Sequence, residues 1–161
     1  MKKYEFTGET KTVPFLFEDV TLHRIQAITS FASVVAGELG GWIEKEENLS
    51  HKGNAWVSEN AVVRGNAVVR GNAMVRKNAV VSENAEVFSV RHVLVIGPIG
   101  SRNAFTTFYH DKDNEITVQC GCFIGKIDKF LEKVAQTHGD SKYAQVYRKA
   151  VELAKLQILT D

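Results

Sequence analysis

The sequence predicts a mainly β protein: a short parallel coil with three flat sides, an irregular β cap before it and a small α+β unit after it. Three observations predict this. From Gly53 to Val87 one unit of six residues is written repeatedly, as GNAWVS, ENAVVR, GNAVVR, GNAMVR, KNAVVS and ENAEV. Within the units, alanine (Ala55, Ala61, Ala67, Ala73, Ala79, Ala85) and valine (Val57, Val63, Val69, Val75, Val81, Val87) stand two apart, and Val93 is a last echo. On either side of this stretch the period is lost, and hairpin and helical patterns take over.

The unit has a physical logic. Residues two apart in an extended chain point to one face, so Ala and Val share the inside and the residue between them points out. The next three positions carry Arg, Ser, Gly, Glu, Lys or Asn. Gly and Asn suit corners because they tolerate left-handed backbone angles. A strand and a corner every six residues give three sides to a turn. Stacked turns bury the Ala and Val that no single unit could bury alone. A helix would need apolar residues to return every 3.6 positions, and a strict six with Gly-Asn does not supply that.

Residues 1–52 read as the cap and the first irregular turns. Tyr4 and Phe6 alternate as in a strand, and a turn is expected from Gly8. Thr21–Ile28 spaces Leu22, Ile25 and Ile28 for either a bulged strand or a short helix. In the lead-in from Phe31 to Ile43, Gly37, Gly40 and Gly41 mark corners, and Leu39, Ile43 and Leu49 are placed to fill the axis. Leu49 and Val57 are eight apart, so two residues bulge near His51. Trp42 is the expected cap of the open end, whose strands could otherwise recruit another chain. Residues 53–93 are the regular coil, and 94–161 the α+β unit. There, His92–Gly100, Phe105–Tyr109 and Ile116–Phe123 are expected strands around a polar turn, Asp111–Asn114. A helix is predicted from Ile127 to His138, stopped by Gly139. A second begins near Asp140–Ser141 with an apolar stripe of Tyr143, Val146, Tyr147, Ala150, Leu153 and Ala154.

The repeat resembles the hexapeptide-repeat proteins, which fold as left-handed parallel β-helices; many are trimeric acyltransferases and others are non-catalytic. The handedness is implied by that resemblance alone. The openings KYEFTGETK, TLHRIQAI and GELGGWIEKEENLS, with GPIGSRN, GCFIGKIDKFLEKVAQTHGD and KYAQVYRKAVELAK in the tail, are similar to uncharacterised phage and prophage proteins. That likeness implies a phage setting and the host cytosol, but no reaction.

Composition narrows the function. A net charge of +1, from 20 Lys and Arg against 19 Asp and Glu, argues against a general coat for nucleic acid or membrane. No run is apolar and long enough to span a bilayer, and the start lacks a signal-peptide core. Cys120 and Cys122 read as reduced thiols, which places the chain in the cytoplasm. Neither a metal nor a cofactor is called for.

Candidate bases for acyl transfer are His51 and His92, one at each end of the repeat, although packed histidines explain both. Arg64, Arg70 and Arg76 fall on three edges of one turn and read as solvated corners. The outward Val62, Val68, Met74 and Val80 read as one interface, covered in a symmetric homotrimer. The most site-like stretch is GPIGSRN, where Ser101, Arg102 and Asn103 offer a hydroxyl, a fork of donors and an amide to an anion. Lys126 and the helix start after GCFIGK are its expected companions, with Tyr109 and Phe123 placed to stack a base. The function that follows is a non-catalytic protein sequestering a small phosphorylated ligand, such as a nucleotide signal of host immunity. The alternatives are an adaptor or structural module that binds a protein, and an acyltransferase.

Overall fold

The computed structural model describes residues 1–15 and 17–159. They form a mainly β protein with two helices at its C-terminal end. The chain begins with a long hairpin, β1 (Tyr4–Phe15) and β2 (Glu18–Ala27), followed by β3 (Leu39–Ile43). Six strands of two residues follow: β4 (Trp56–Val57), β5 (Val62–Val63), β6 (Val68–Val69), β7 (Met74–Val75), β8 (Val80–Val81) and β9 (Glu86–Val87). The second unit holds β10 (Val93–Ile99), β11 (Ala104–His110), β12 (Ile116–Cys120), β13 (Phe123–Lys126), α1 (Ile127–His138) and α2 (Lys142–Ile158).

The short strands pair in parallel with the strand three units on: β4 with β7, β5 with β8 and β6 with β9. Val62 thus faces Val80, an offset of 18 residues. The irregular lead-in joins the same scheme, because Trp42 and Ile43 pair with Val62 and Val63, and Leu49 bridges to Val69. The result is three columns of strands. One column is continued beyond β3 by β2 and β1, which pair antiparallel, and this makes a mixed five-stranded sheet in the order β1-β2-β3-β5-β8. The β10–β13 sheet is antiparallel and in chain order.

The inside positions behave as the period requires. All six alanines and all six valines are at most 1% exposed and form one core with Ile43, Leu49, Trp56 and Tyr109. The first residue of each unit takes the left-handed corner: Gly53, Glu59, Gly65, Gly71, Lys77 and Glu83 all have positive φ. Two of these corners need glycine for space as well. A Cβ on Gly53 would lie 2.7 Å from the Gly71 carbonyl oxygen, and one on Gly71 2.7 Å from that of Phe88.

Several expectations are corrected. The outward Val62, Val68, Met74 and Val80 do not form one patch. Val62 and Val80 share a column, while Val68 and Met74 stand on the other two, and each is half-buried. Leu39 is 48% exposed and takes no part in the axis. β1 runs through the turn expected at Gly8, absorbing it as a register shift between Phe6 and Thr10. Of the two alternatives open for Thr21–Ile28, the bulged strand is the one that forms, as far as Ala27, with a register shift between Arg24 and Gln26. The stretch expected as one strand to Phe123 breaks at the left-handed Gly121, so Phe123–Lys126 folds back as a fourth strand. Arg64 is no solvated corner. It is 6% exposed, with its guanidinium 3.7 Å above the Phe15 ring.

α1 matches its expected span, and Gly139 ends it with φ of 57°. The Ser141 hydroxyl caps α2 by accepting from the Ala144 N–H. α2, however, turns Tyr143, Val146 and Leu153 outward and buries Ala144, Tyr147, Ala150, Val151, Ala154 and Ile158. The buried set recurs three and four residues apart, as one face of a helix does.

The columns make a differential prediction. Val63→Ala, at a fully buried axis position, lowers stability by about 2 kcal/mol in urea unfolding, whereas Val62→Ala, one residue earlier and half-exposed, costs below about 1 kcal/mol.

Candidate functional site

The two histidines flanking the repeat are built into the frame. His51 stacks on the Tyr4 ring at 4.1 Å, and its Nδ1 accepts the Lys3 N–H at 3.3 Å. Its Nε2 is buried without a partner, and burial holds its pKa below the ordinary histidine value. Beside it, the Lys3 ammonium donates to the carbonyl oxygens of Gly53 and Ala55 and sits 4.7 Å over the Phe31 ring. These contacts close the carbonyl edge at the N-terminal end of the columns. His92 stacks on His110 at 4.3 Å, and its Nδ1 accepts the Phe88 N–H. His110 Nδ1 lies 2.8 Å from the Glu86 carbonyl oxygen, so this pair fastens the second unit to the last repeat.

The residues singled out for anion binding separate into two groups. The turn Gly100–Asn103 joins β10 to β11, with Ile99 opposite Ala104 and left-handed angles at Gly100 and Asn103. The turn at Gly121 joins β12 to β13, with Cys120 opposite Phe123. Because Thr106 pairs with Cys120, both turns lie at the same end of the sheet. Ser101, Arg102, Asn103 and Phe123 are therefore gathered there, the first three exposed and Phe123 half-buried against Phe130. Tyr147 of α2 comes to this end as well. A Cβ on Gly100 would lie only 2.0 Å from its hydroxyl oxygen, so the glycine is needed for this approach. The Tyr147 hydroxyl accepts from Cys120 Sγ at 3.9 Å, and Thr106 Oγ1 donates to the same sulfur at 3.3 Å. Burial and the neighbouring thiol push the Tyr147 pKa up to about 12, against the pull of the Arg102 charge. The phenol stays protonated at neutral pH and keeps its O–H to donate. Arg102 has no carboxylate partner among the described residues.

Lys126 is at the opposite end, where Thr117 pairs with it. Its ammonium is taken up by Asp111 at 2.6 Å, Asp113 at 3.0 Å and Glu115 at 3.2 Å. Burial alone would lower the Lys126 pKa and raise that of Asp111. The hydrogen bonds between them win, holding the lysine above and the aspartate below their ordinary values. Thr117 Oγ1 and the N–H groups of Asp113 and Glu115 complete the shell of Asp111. Tyr109 is fully buried in the core, with its hydroxyl 3.4 Å from Ser82 Oγ, and burial pushes its pKa up to about 12. Its ring has no face open for a base. Sequence reasoning had put Tyr147 on a helix stripe and Asp111 in a turn. The Asp-Lys-Asp-Asn-Glu run was the available signal for the second; nothing local marked the first.

No protein-family model matches the chain. It is similar to the "Uncharacterized acetyltransferase YdcK" of Escherichia coli (strain K12), at 36% identity over 61 residues, covering 35% of this chain. The match spans 19% of that protein's length. No helix among the described residues is long and apolar enough to cross a membrane, and none of their His, Cys, Asp and Glu side chains form a group that could hold a metal ion.

The Lys3 contacts predict a pH dependence. Burial lowers the Lys3 pKa from 10.5 to about 8 in the fold. Between those values the unfolded chain binds more protons, so stability rises with pH. Tyr4 and Tyr109, both raised in the fold, oppose this only above pH of about 10. Thermal unfolding between pH 8 and 10 therefore shows a rising melting temperature, and Lys3→Met flattens the rise.

Proposed function

We propose that the repeat is a short left-handed parallel β-helix, that the protein works as a homotrimeric binding module, and that it captures a small phosphorylated ligand at the sheet end carrying Ser101, Arg102 and Asn103. The observation that supports this is the convergence of two glycine turns on a guanidinium that no carboxylate among the described residues neutralises. Tyr147, a protonated phenol beside Gly100, adds a neutral donor to that end. A phosphate takes up such donors through several oxygens at once. The phage setting implied by the tail's resemblance makes a nucleotide signal of host immunity the first ligand to try. Lys126 has no part in the site, because its charge is spent on Asp111, Asp113 and Glu115.

Acetyl transfer is the second reading, favoured by the name of the similar Escherichia coli protein. It needs a base with a ring nitrogen facing a bound substrate. His92 would act as one only if the Phe88 N–H released its Nδ1.

Isothermal titration with cyclic dinucleotides, cyclic trinucleotides and ADP-ribose checks the binding reading. Saturable heat is expected for at least one, weakened tenfold or more by Arg102→Ala and unchanged by Arg91→Ala. Silence from all three ligands ends it. Acetyl-CoA consumption by the wild type, abolished by His92→Ala or His51→Ala, would establish the second reading instead.

A further inference from the structure

Below β7 the parallel scheme stops. The strands on the other two columns hand their N–H groups to the next turn: Val62 donates to Ala79, Arg64 to Val81, Val68 to Ala85 and Arg70 to Val87. β7 pairs only with β4 above it. The residues that would form the strand beneath have left the period: Val90–His92 is a 3-10 turn and Val93 opens the antiparallel β10. The Arg76 N–H accordingly meets no acceptor among the described residues. The last turns of the other two columns are covered by the second unit. Thr107 Oγ1 takes the Val80 N–H, His110 meets the Glu86 carbonyl, and Lys112 donates to that of Asn84.

The space left below β7 is a groove of about 290 Å³ between Met74, Val90, Val93 and Val95, with Arg76 and Lys77 on its rim. Met74, Val93 and Val95 rest on the repeat core, so the floor is apolar and firmly backed. The two cations differ. Lys77 is matched by Glu59, which takes its ammonium at 3.5 Å and its N–H at 3.0 Å. Arg76 has no acidic partner among the described residues. The groove therefore combines one uncompensated guanidinium, an open strand edge and an apolar floor.

We propose that this groove binds a carboxylate with a single negative charge and an apolar tail, such as a medium-chain fatty acid. The carboxylate would take the Arg76 fork and the Arg76 N–H, completing the edge that β10 leaves unpaired. The tail covers Met74, Val93 and Val95. The charge follows from one unmatched cation: a phosphate monoester would bring a second negative charge that Lys77, already paired, does not answer. The length follows from the volume. A water molecule's share of liquid volume is roughly 30 Å³, so the groove has room for about ten groups of that size, close to the count of non-hydrogen atoms in octanoate. This site is separate from the Arg102 end and stands whether or not that end binds nucleotides.

Octanoate titrated into ¹⁵N-labelled protein tests it. Saturable shifts are expected at the Met74, Arg76 and Val93 amides, with affinity reduced tenfold or more by Arg76→Gln and unaffected by Arg102→Ala. Val90→Asp, a change at a residue 57% exposed, places a carboxylate at the rim and should weaken binding without disturbing the fold. Three results would overturn the proposal: shifts that do not saturate, shifts that survive both groove substitutions, or equal shifts with the neutral octyl glucoside. Concentration-dependent shifts of the same amides without any ligand would also overturn it, by assigning the groove to a second copy of the chain.

Discussion

The structure depends on one constraint: a strand of two residues has no stability until the strand 18 residues on supplies its hydrogen bonds and its Ala and Val neighbours. Each unit contributes little apolar surface, so the core exists only as a stack. The same constraint makes the two ends of the stack costly, because their backbone groups have no further turn to bond. Much of the irregular sequence answers that cost. At the N-terminal end the Lys3 ammonium takes the Gly53 and Ala55 carbonyls, and the Asn48 side chain takes those of Gly65 and Ala67. At the other end Thr107, His110 and Lys112 perform the same service for two columns of three.

This division explains what the sequence could reveal. The repeat was legible because its physics is local and periodic. The inside set from Ala55 to Val87, and the corner at the first place of each unit, need no knowledge of the rest of the chain. α1 was legible for the same reason, with apolar spacing and a stopping glycine in one short window. The ends were not. Nothing near Lys3 in sequence announces that its ammonium will meet carbonyls some fifty residues later, or that Arg64 will lie under Phe15. The stripe of α2 was half right: Tyr147, Ala150 and Ala154 lie on the buried face, but Ala144, Val151 and Ile158 join them in place of Tyr143, Val146 and Leu153, a rotation of the face by about one residue that the helix's own sequence does not fix.

The anion-binding residues show a further limit. GPIGSRN and GCFIGK look like companions because both are glycine-rich and stand close in sequence. Whether their side chains meet depends on strand register. The turn at Gly121 sends Phe123 back beside Cys120, near Arg102, but carries Lys126 along the strand to Thr117. At about 3.4 Å per residue, that short strand puts the two cations at opposite ends of the sheet. A turn one residue earlier or later would have put Lys126 on the other face of the sheet, away from Asp111, and no pattern of hydrophobicity records which occurred.

Charge balance then separates the cations by role. A partly buried lysine held by three carboxylates is a fastening. It ties the turn at Asp111 to β13, and releasing it would strand Asp111 at 1% exposure. A cation with no acid beside it has its field available to something outside the chain. Among the corner arginines, Arg64 stacks on Phe15 and Arg70 on Phe88, which leaves Arg76 over an apolar groove without such cover. The histidines follow the same logic in reverse. Stacking and backbone hydrogen bonds hold His51 and His92 where the regular stack meets its irregular ends, so a proton taken up at either Nδ1 would cost the N–H bond that holds it. A general base in that position would have to loosen the joint on each turnover. Capture of a ligand by Arg102 or Arg76 asks no such movement of the frame.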